Sequence, residues 1–406
     1  MPQLTLLKNA RLYAPDFKGT CHICMAGGKI VSVTDRDVSL PDVLDAEVVD
    51  LAGKIVTPGF IDNHVHTLGG GGGLGFASRA IEIQVSQIVR AGVTTIVGML
   101  GFDATTKSID TLVAKTKGLR QEGVNAYCLT GATLEHPIPT LTGKIRTDIV
   151  FVEEIIGVGE ISISELGYAY DSMGSGAQYI AEAATAGLLA GRLSGKAGYL
   201  CLQVPPYRER VLKPMFEVVE RTGIPIGQFV PSHVNQTPTY MNDATEWGKM
   251  GGWVDIGVNY SPTNNYSRAI EPLDAVAQFL DAGVPLEKIL MSSDGNGAPP
   301  KEEKGEGRPK RTNYMPISSM LSSFRQLVET KTLAPTDALK PFTSNPAQAT
   351  GLSSKGVVET GRDADLLVFD DDWNLDSVYI MGHMMMGGGS VKKRGVFEEL
   401  LLQQLR

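Results

Sequence analysis

The feature that most constrains this chain is a rhythm. From Ile55 onward, short apolar runs of strand length recur, each followed by a polar loop and then a stretch whose apolar residues have helical spacing. The runs fall at 55–63, 93–100, 124–130, 155–163, 198–204, 225–232, 253–259 and 288–293. Strands that alternate with helices predict an α/β fold with a parallel sheet, and eight such units predict closure of the sheet into a (β/α)8 TIM barrel. A barrel of that kind needs roughly 250 residues. The chain has 406, so both ends carry additional structure.

Residues 1 to 57 read as short β pieces at 4–7, 23–25, 29–33 and 47–50, separated by the turn residues Gly27-Gly28, Pro41 and Gly53. Beyond Gly351 the β character returns, at 356–358, at 365–369 and from Gly395 to the end. The expected organisation is a barrel over 58–350 beside a small β-sandwich domain that both ends build together, 1–57 with 351–406. The polar, glycine-containing segment 301–311 follows the eighth strand directly. It reads either as a mobile loop at the mouth of the barrel or as a solvated excursion.

Composition sets limits on partners and compartment. A hydrophobic content of 42% and a charged content of 20% are those of an ordinary globular protein. A net charge of -8 argues against nucleic acid or an anionic membrane as a partner, which leaves a small-molecule substrate. No run of about 18 apolar residues is present, and the first residues lack the basic-then-apolar pattern of a secretion signal, so a cytoplasmic location is expected. Four cysteines are too few for a disulfide framework, and Cys21-x-x-Cys24 reads as an apolar strand that contains two thiols.

In a barrel of this type, chemistry sits at the C-terminal ends of the strands. The first strand ends in His64-Val65-His66, and a strand's period of two sends both imidazoles to one face. The sixth ends in Ser232-His233-Val234-Asn235, and the eighth in Ser292-Ser293-Asp294-Gly295-Asn296-Gly297, where glycines let the backbone turn tightly. Taken singly, a strand-end histidine or aspartate is more often a hydrogen-bonded structural residue. Together, on strands one, six and eight, they converge on one point. Three imidazoles and a carboxylate are a ligand set for Zn2+, with Asp294 as the group that takes a proton from water and delivers it to the leaving group, and His233 as a second catalytic candidate. Glu135 and His136, after strand three, are a further acid/base candidate. Tyr207 and Arg208 after strand five, and Tyr260, Thr263 and Asn264 after strand seven, are candidates for lining a substrate pocket.

Several segments carry a resemblance. His64-Val65-His66 after Pro58-Gly59-Phe60-Ile61-Asp62, the Asp294 strand, Asn345-Pro346-Ala347 and the tail Gly361-Arg362-Asp363-Ala364-Asp365-Leu366-Leu367 resemble the amidohydrolase superfamily of metal-dependent hydrolases. More narrowly, Leu129-Thr130-Gly131-Ala132, Ile156-Gly157-Val158, Pro231-Ser232-His233-Val234-Asn235 and Ser292-Ser293-Asp294-Gly295-Asn296-Gly297 resemble its isoaspartyl dipeptidase branch over nearly the full length.

The resemblance implies a binuclear zinc site and a set of dipeptide-binding residues, and the departures fall in both. The bridging carboxylated lysine of strand four is replaced by Gly159, and the metal-binding histidine of strand five by Gln203, which could still offer a weak oxygen ligand. On the substrate side, the glutamate after the glycine run becomes Gly73 or Leu74, the tyrosine after Thr-Gly-Ala becomes Thr133, the arginine near the strand-six histidine becomes Gln236, and a serine becomes Ala298. A β-aspartyl dipeptide would lose most of its usual partners, so isoaspartyl dipeptidase activity itself is not expected. Thr133 and Gln236 become candidates for contacting a different substrate.

Glu160 lies next to the lost lysine. A register change or bulge of one residue would aim its carboxylate at the metal; strict strand alternation would turn it away. The alternatives are one zinc held by His64, His66 and Asp294, with His233 ligating or hydrogen bonding, or two zinc ions bridged by Glu160. Three functions remain open. The first is hydrolysis of an amide or cyclic amide, or the reverse condensation. The second is an isomerase, lyase or cyclase on the same scaffold, and the third is an inactive relative. Survival of four of the six family ligands favours the first. Relatives of this family commonly assemble, and a homo-oligomer is expected.

Overall fold

The computed structural model describes residues 4–41, 45–133, 137–162, 176–203, 211–300 and 312–404. The fold is mixed α/β. Near the N-terminus run β1 (Leu4–Tyr13), β2 (Phe17–Ala26), β3 (Lys29–Thr34), β4 (Ala46–Asp50) and β5 (Ile55–Pro58). Eight strands follow: β6 (Phe60–Val65), β7 (Val93–Gly98), β8 (Asn125–Thr130), β9 (Ile155–Ser162), β10 (Tyr199–Gln203), β11 (Phe229–Ser232), β12 (Val254–Gly257) and β13 (Ile289–Ser292). The chain ends with β14 (Leu366–Phe369), β15 (Leu375–Ile380), β16 (His383–Gly387), β17 (Ser390–Val391) and a helix, Val396–Gln404.

Strands β6 to β11 form a parallel sheet in sequence order, and β12 pairs in parallel with β13. A parallel bridge between Val65 and Gly295 brings the end of β13 back beside β6. Helices such as Ile109–Gln121 and Gly176–Ser194 cross between successive strands. Their apolar faces meet the strands in one large core that includes Val65, Ile96, Leu112, Val158, Ile180 and Leu200. A second cluster comes mostly from the strands themselves, among them Val97, Leu129, Tyr199, Cys201, Val230 and Leu290.

Both chain ends share one nine-stranded sheet, ordered β17-β16-β15-β14-β5-β1-β2-β3 with β4 beside β1. Its own core is built from Leu7, Leu12, Ile23, Val56, Leu366 and Val368 among others.

Three local readings of the sequence are corrected. The run 55–63 is two strands, because Gly59 breaks it: its amide donates to the Asp365 carbonyl at 2.9 Å, and a Cβ there would lie 2.2 Å from Thr94 Oγ1. Ile55–Pro58 therefore belongs to the nine-stranded sheet, and Phe60 starts the parallel one. The end of the chain after Gly395 is a helix, capped where the Gly395 amide donates to Glu398 at 2.8 Å. Residues 356–358 are not a strand; Gly356 has φ +79 in a turn. All four cysteines are buried free thiols. Among the described residues, no helix is long and apolar enough to cross a membrane. The segment 301–311 lies outside the described residues.

Candidate metal centre

His64 is the penultimate residue of β6, and His66 stands just beyond its end, held by a hydrogen bond from its amide to the Gly295 carbonyl at 2.8 Å. Gly295 returns its own amide to the His64 carbonyl at 3.2 Å. Asp62, fully buried beneath them, strengthens the same seam. Its Oδ1 accepts from the amides of His64 at 3.3 Å and Ser293 at 3.2 Å, and its Oδ2 accepts from the Ser293 hydroxyl. β6 and the end of β13 are thus fixed in register, which sets His64 and His66 against Asp294. Burial pushes the Asp62 carboxyl up to about 7 despite those hydrogen bonds, and the nearby Asp294 charge adds to the rise.

His233 and Asp294 leave their strands in the left-handed backbone region, at φ 57 and 52, and Asn296 follows at φ 64. Such conformations cost non-glycine residues about 1–3 kcal/mol each and persist only where the surroundings impose them. Here they turn the His233 and Asp294 side chains towards His64. The His64 and His233 ring centroids are 4.3 Å apart, and those of His64 and His66 are 5.5 Å apart. Asp294 Oδ1 lies 2.9 Å from His66 Nε2 and 3.9 Å from His64 Nε2.

Glu160 joins them from β9 through a break in the strand register. Leu200 of β10 pairs with Val158, but Leu202 pairs with Ile161, so β9 carries one extra residue. Val158 and Ile161 both pack into the core between strands and helices, and the intervening Gly159 and Glu160 face away from it. The Glu160 carboxylate comes to 3.5 Å from His64 Nε2 and accepts a hydrogen bond from Thr133 Oγ1 at 3.3 Å. The crowding explains the glycine beside it: Gly159 has φ +143, and a Cβ there would lie 2.8 Å from both Cβ and O of Cys201.

The donor set fits a divalent cation. His64, His233 and Asp294, and likewise His64, His66 and Glu160, bring one ligand atom each within 4.8 Å of one another. His64 Nε2 and both ring nitrogens of His233 are buried without a hydrogen-bond partner among the described residues, a costly arrangement for a site that holds nothing. Burial, reinforced by the neighbouring His233, holds the His64 imidazole well below its ordinary value; burial and His66 push His233 down to about 3. Both rings are therefore neutral near pH 7, with lone pairs to offer. Burial alone would lower His66 as well, but the Asp294 carboxylate more than offsets it and raises that imidazole. Ser232 Oγ lies 3.2 Å from His64 Nδ1, which assigns Nε2 as the ring nitrogen facing the carboxylates.

The remaining candidates fall at different distances from this centre. Tyr260 is buried, and its hydroxyl donates to Asp294 Oδ2 at 2.8 Å. Gln203 ends β10 beside Ser162 and Ser232, with its amide oxygen buried and without a partner among the described residues. Gln236 closes the 3-10 turn Val234–Gln236 behind His233, and its amide nitrogen likewise has no partner among the described residues. Thr263 and Asn264 form an exposed turn, where Thr263 Oγ1 meets Ser261 and the Asn264 amide group binds the Asn259 carbonyl. Glu135, His136, Tyr207 and Arg208 lie outside the described residues. Sequence reasoning missed Asp62, Ser293 and Ser232 as supports of the site. Their position next to or two residues from a candidate ligand was the available signal.

A model of the amidohydrolase family matches residues 233–385. Among solved structures, the chain is similar to β-aspartyl dipeptidase from Fervidobacterium islandicum AW-1 in complex with a β-Asp-Leu dipeptide. The identity is 32%, covering 96% of this chain and 99% of that one, with a TM-score of 0.85. It is also similar to the enamidase of Eubacterium barkeri, 22% identical over 90% of this chain and 86% of the relative. At the level of fold alone it matches L-hydantoinase from Arthrobacter aurescens, with 16% identity, 97% and 98% coverage and a TM-score of 0.63.

Proposed function

The chain belongs to the amidohydrolase family and is a hydrolase of C–N bonds, and from that premise we propose that it hydrolyses an amide or cyclic amide of a small molecule other than a β-aspartyl dipeptide. The observation that carries the reading is that two buried ligand groups, His64 with His233 and Asp294 and His64 with His66 and Glu160, share one imidazole and keep ring nitrogens without a partner among the described residues. We read the eight parallel strands as a (β/α)8 barrel over 58–350, and residues 1–57 with 351–406 as a small β-sandwich domain. The return of β13 to β6 supports the first. The sheet shared by both chain ends supports the second. Buried free thiols are consistent with a cytoplasmic enzyme.

In this reading His64, His66, His233 and Asp294 hold zinc, with Glu160 as an anionic oxygen ligand in place of the family's carboxylated lysine. Lysine could not serve from position 159, because even a Cβ is excluded there. A bound zinc ion would supply Lewis acidity and bring the pKa of a water molecule towards neutrality. The protein's own contribution is positional. Asp294, with one oxygen towards the histidines and the other held by Tyr260, is placed to accept a proton from water and return it to the departing nitrogen. The Thr133 hydroxyl is engaged with Glu160, so it is not free to take over from the tyrosine that polarises the scissile carbonyl in the dipeptidase branch.

The test combines metal analysis with a substrate panel. Protein purified without added metal should contain about one or two zinc per chain, and His64→Ala and Asp294→Ala should contain none. Two per chain, falling to one in Glu160→Gln, supports the bridged form. Hydrolysis should appear on N-acyl amino acids, hydantoins or cyclic imides, and not on β-Asp-Leu. Absence of metal from the wild-type protein, or efficient cleavage of β-Asp-Leu, would refute the reading.

A further inference from the structure

Tyr260 sits three residues beyond Gly257, the last residue of β12, in a turn closed by a hydrogen bond from its own amide to the Gly257 carbonyl at 3.1 Å. It touches two residues of the metal centre at once. Its hydroxyl donates to Asp294 Oδ2 at 2.8 Å, and its ring stacks on His233 with centroids 4.8 Å apart and planes 24° from parallel. Tyr266 packs against the same ring at 4.7 Å.

The space for this stack is specified by the backbone. A Cβ on Gly257 would lie 2.4 Å from Tyr260 Cδ2 and 3.0 Å from His233 Cδ2, so the two rings can meet only over a glycine. Asn235, two residues after His233, ties the turn of one ring to the turn of the other. Its amide group donates to the carbonyls of Gly257, Tyr260 and Ile270 at 3.2, 2.9 and 3.0 Å, and its oxygen accepts from the Gly257 amide at 2.9 Å. The His233 turn and the Tyr260 turn are therefore one bolted unit.

We infer that Tyr260 is a positioning residue of the metal centre, which occupies Asp294 Oδ2 so that Oδ1 alone faces His64 and His66, and which fixes the plane of the His233 ring. The inference rests on the metal site proposed above. Without the hydroxyl, the Asp294 carboxylate is free to rotate and present either oxygen or both. Outer partners of this kind typically alter metal affinity 10- to 100-fold. A role in filling space alone would need only the ring, which phenylalanine supplies.

Co2+ is the probe, added to metal-free wild type, Tyr260→Phe and Asp294→Ala, with affinity read by competition against a chelator and coordination read from the visible d–d bands. The expected result is 10- to 100-fold weaker binding and displaced bands for Tyr260→Phe, with little or no binding by Asp294→Ala. The bands report only folded, loaded protein, so a lowered melting temperature does not obscure them. Wild-type affinity and bands in Tyr260→Phe, with binding lost in Asp294→Ala, would overturn the positioning role and leave the metal site standing. A wild-type protein that binds no Co2+ would overturn both.

Discussion

At the C-terminal ends of β6, β9, β11 and β13, two carboxylates and three imidazoles are buried together, with ring nitrogens that find no hydrogen-bond partner among the described residues. Beside the N-terminal end of β8 lies a second buried cluster, Lys355 with Asp363 and Asp365, whose charged groups are all partnered. Lys355 Nζ is 2.9 Å from Asp363 and 2.7 Å from Asp365. Asp363 also accepts from Lys29 at 2.5 Å and from Ser354 at 2.7 Å. Asp365 accepts from Asn125, the first residue of β8, at 3.0 Å and from the Met381 amide at 2.8 Å. Both clusters are charged, buried and assembled from distant parts of the chain. The difference is in unspent hydrogen-bonding capacity: the second network is satisfied, whereas the first keeps buried ring nitrogens with lone pairs to offer.

Removing a member of each cluster should separate activity from stability. The largest effect is expected for Asp294→Ala. Loss of a general acid/base alone costs about 10²–10⁴ in rate, and loss of the metal with it costs more, read as kcat on whichever amide the panel identifies. Its cost in stability should be smaller, about 1–3 kcal/mol for the Tyr260 hydroxyl left unpartnered, because burial holds the His66 ring neutral once the Asp294 charge is gone. Lys355→Ala should behave in the opposite way. It leaves Asp365 buried without a cation and Asp363 with Lys29 alone, and should lose about 3–5 kcal/mol in urea unfolding, while the folded protein keeps its full metal content. If Asp294→Ala destabilised as severely, or if Lys355→Ala lost its metal while still folded, the contrast between the clusters would fail.

The two clusters were not equally legible in the sequence. The spacing of His64 and His66, and the strand-end positions of His233 and Asp294, follow from strand periodicity and from where such a fold places its chemistry, and geometry brings all four together. Glu160 was an open choice, because its direction depends on one extra residue in β9, and a bulge leaves no mark in a list of residue types. Gly159 was its only trace, read as a lost lysine when it is also the space that lets the chain pass Cys201. The tail motif from Gly361 to Leu367 supported the family resemblance, yet nothing in its sequence showed that Asp363 and Asp365 would meet Lys355 and Asn125. Those contacts depend on how β14 docks against β5. After Gly395 the strong helix formers Glu398, Glu399, Leu400, Leu401 and Leu402 outweigh the β character that precedes them, and the segment is a helix.

The smallest effect concerns pH, and it sharpens the contrast from the architectural side. Burial alone would raise the Asp363 carboxyl, but the charges and hydrogen bonds of Lys355, Lys29 and Ser354 more than offset it, and its pKa in the folded protein lies below the ordinary 3.8. A carboxyl whose folded value is depressed contributes stability that is fully present above its unfolded pKa and is lost as the pH falls through the folded value. Lys355 is the mirror case. Burial pulls it down, but Asp365 and Asp363 carry it above 10.5, so its contribution holds below 10.5 and fades as the pH climbs through the raised value. The Asp363 contribution is therefore lost as the pH falls below about 4, and it is read as the difference in unfolding free energy between wild type and Asp363→Asn, in which the buried histidines and the other carboxyls cancel. Asp363→Asn should start from a lower plateau and fall less steeply over the same range, since the group that must take up a proton is gone. Parallel curves for the two proteins below pH 4 would mean that Asp363 does not titrate with folding, and that the completeness of its hydrogen bonds contributes to shape without contributing to acid stability.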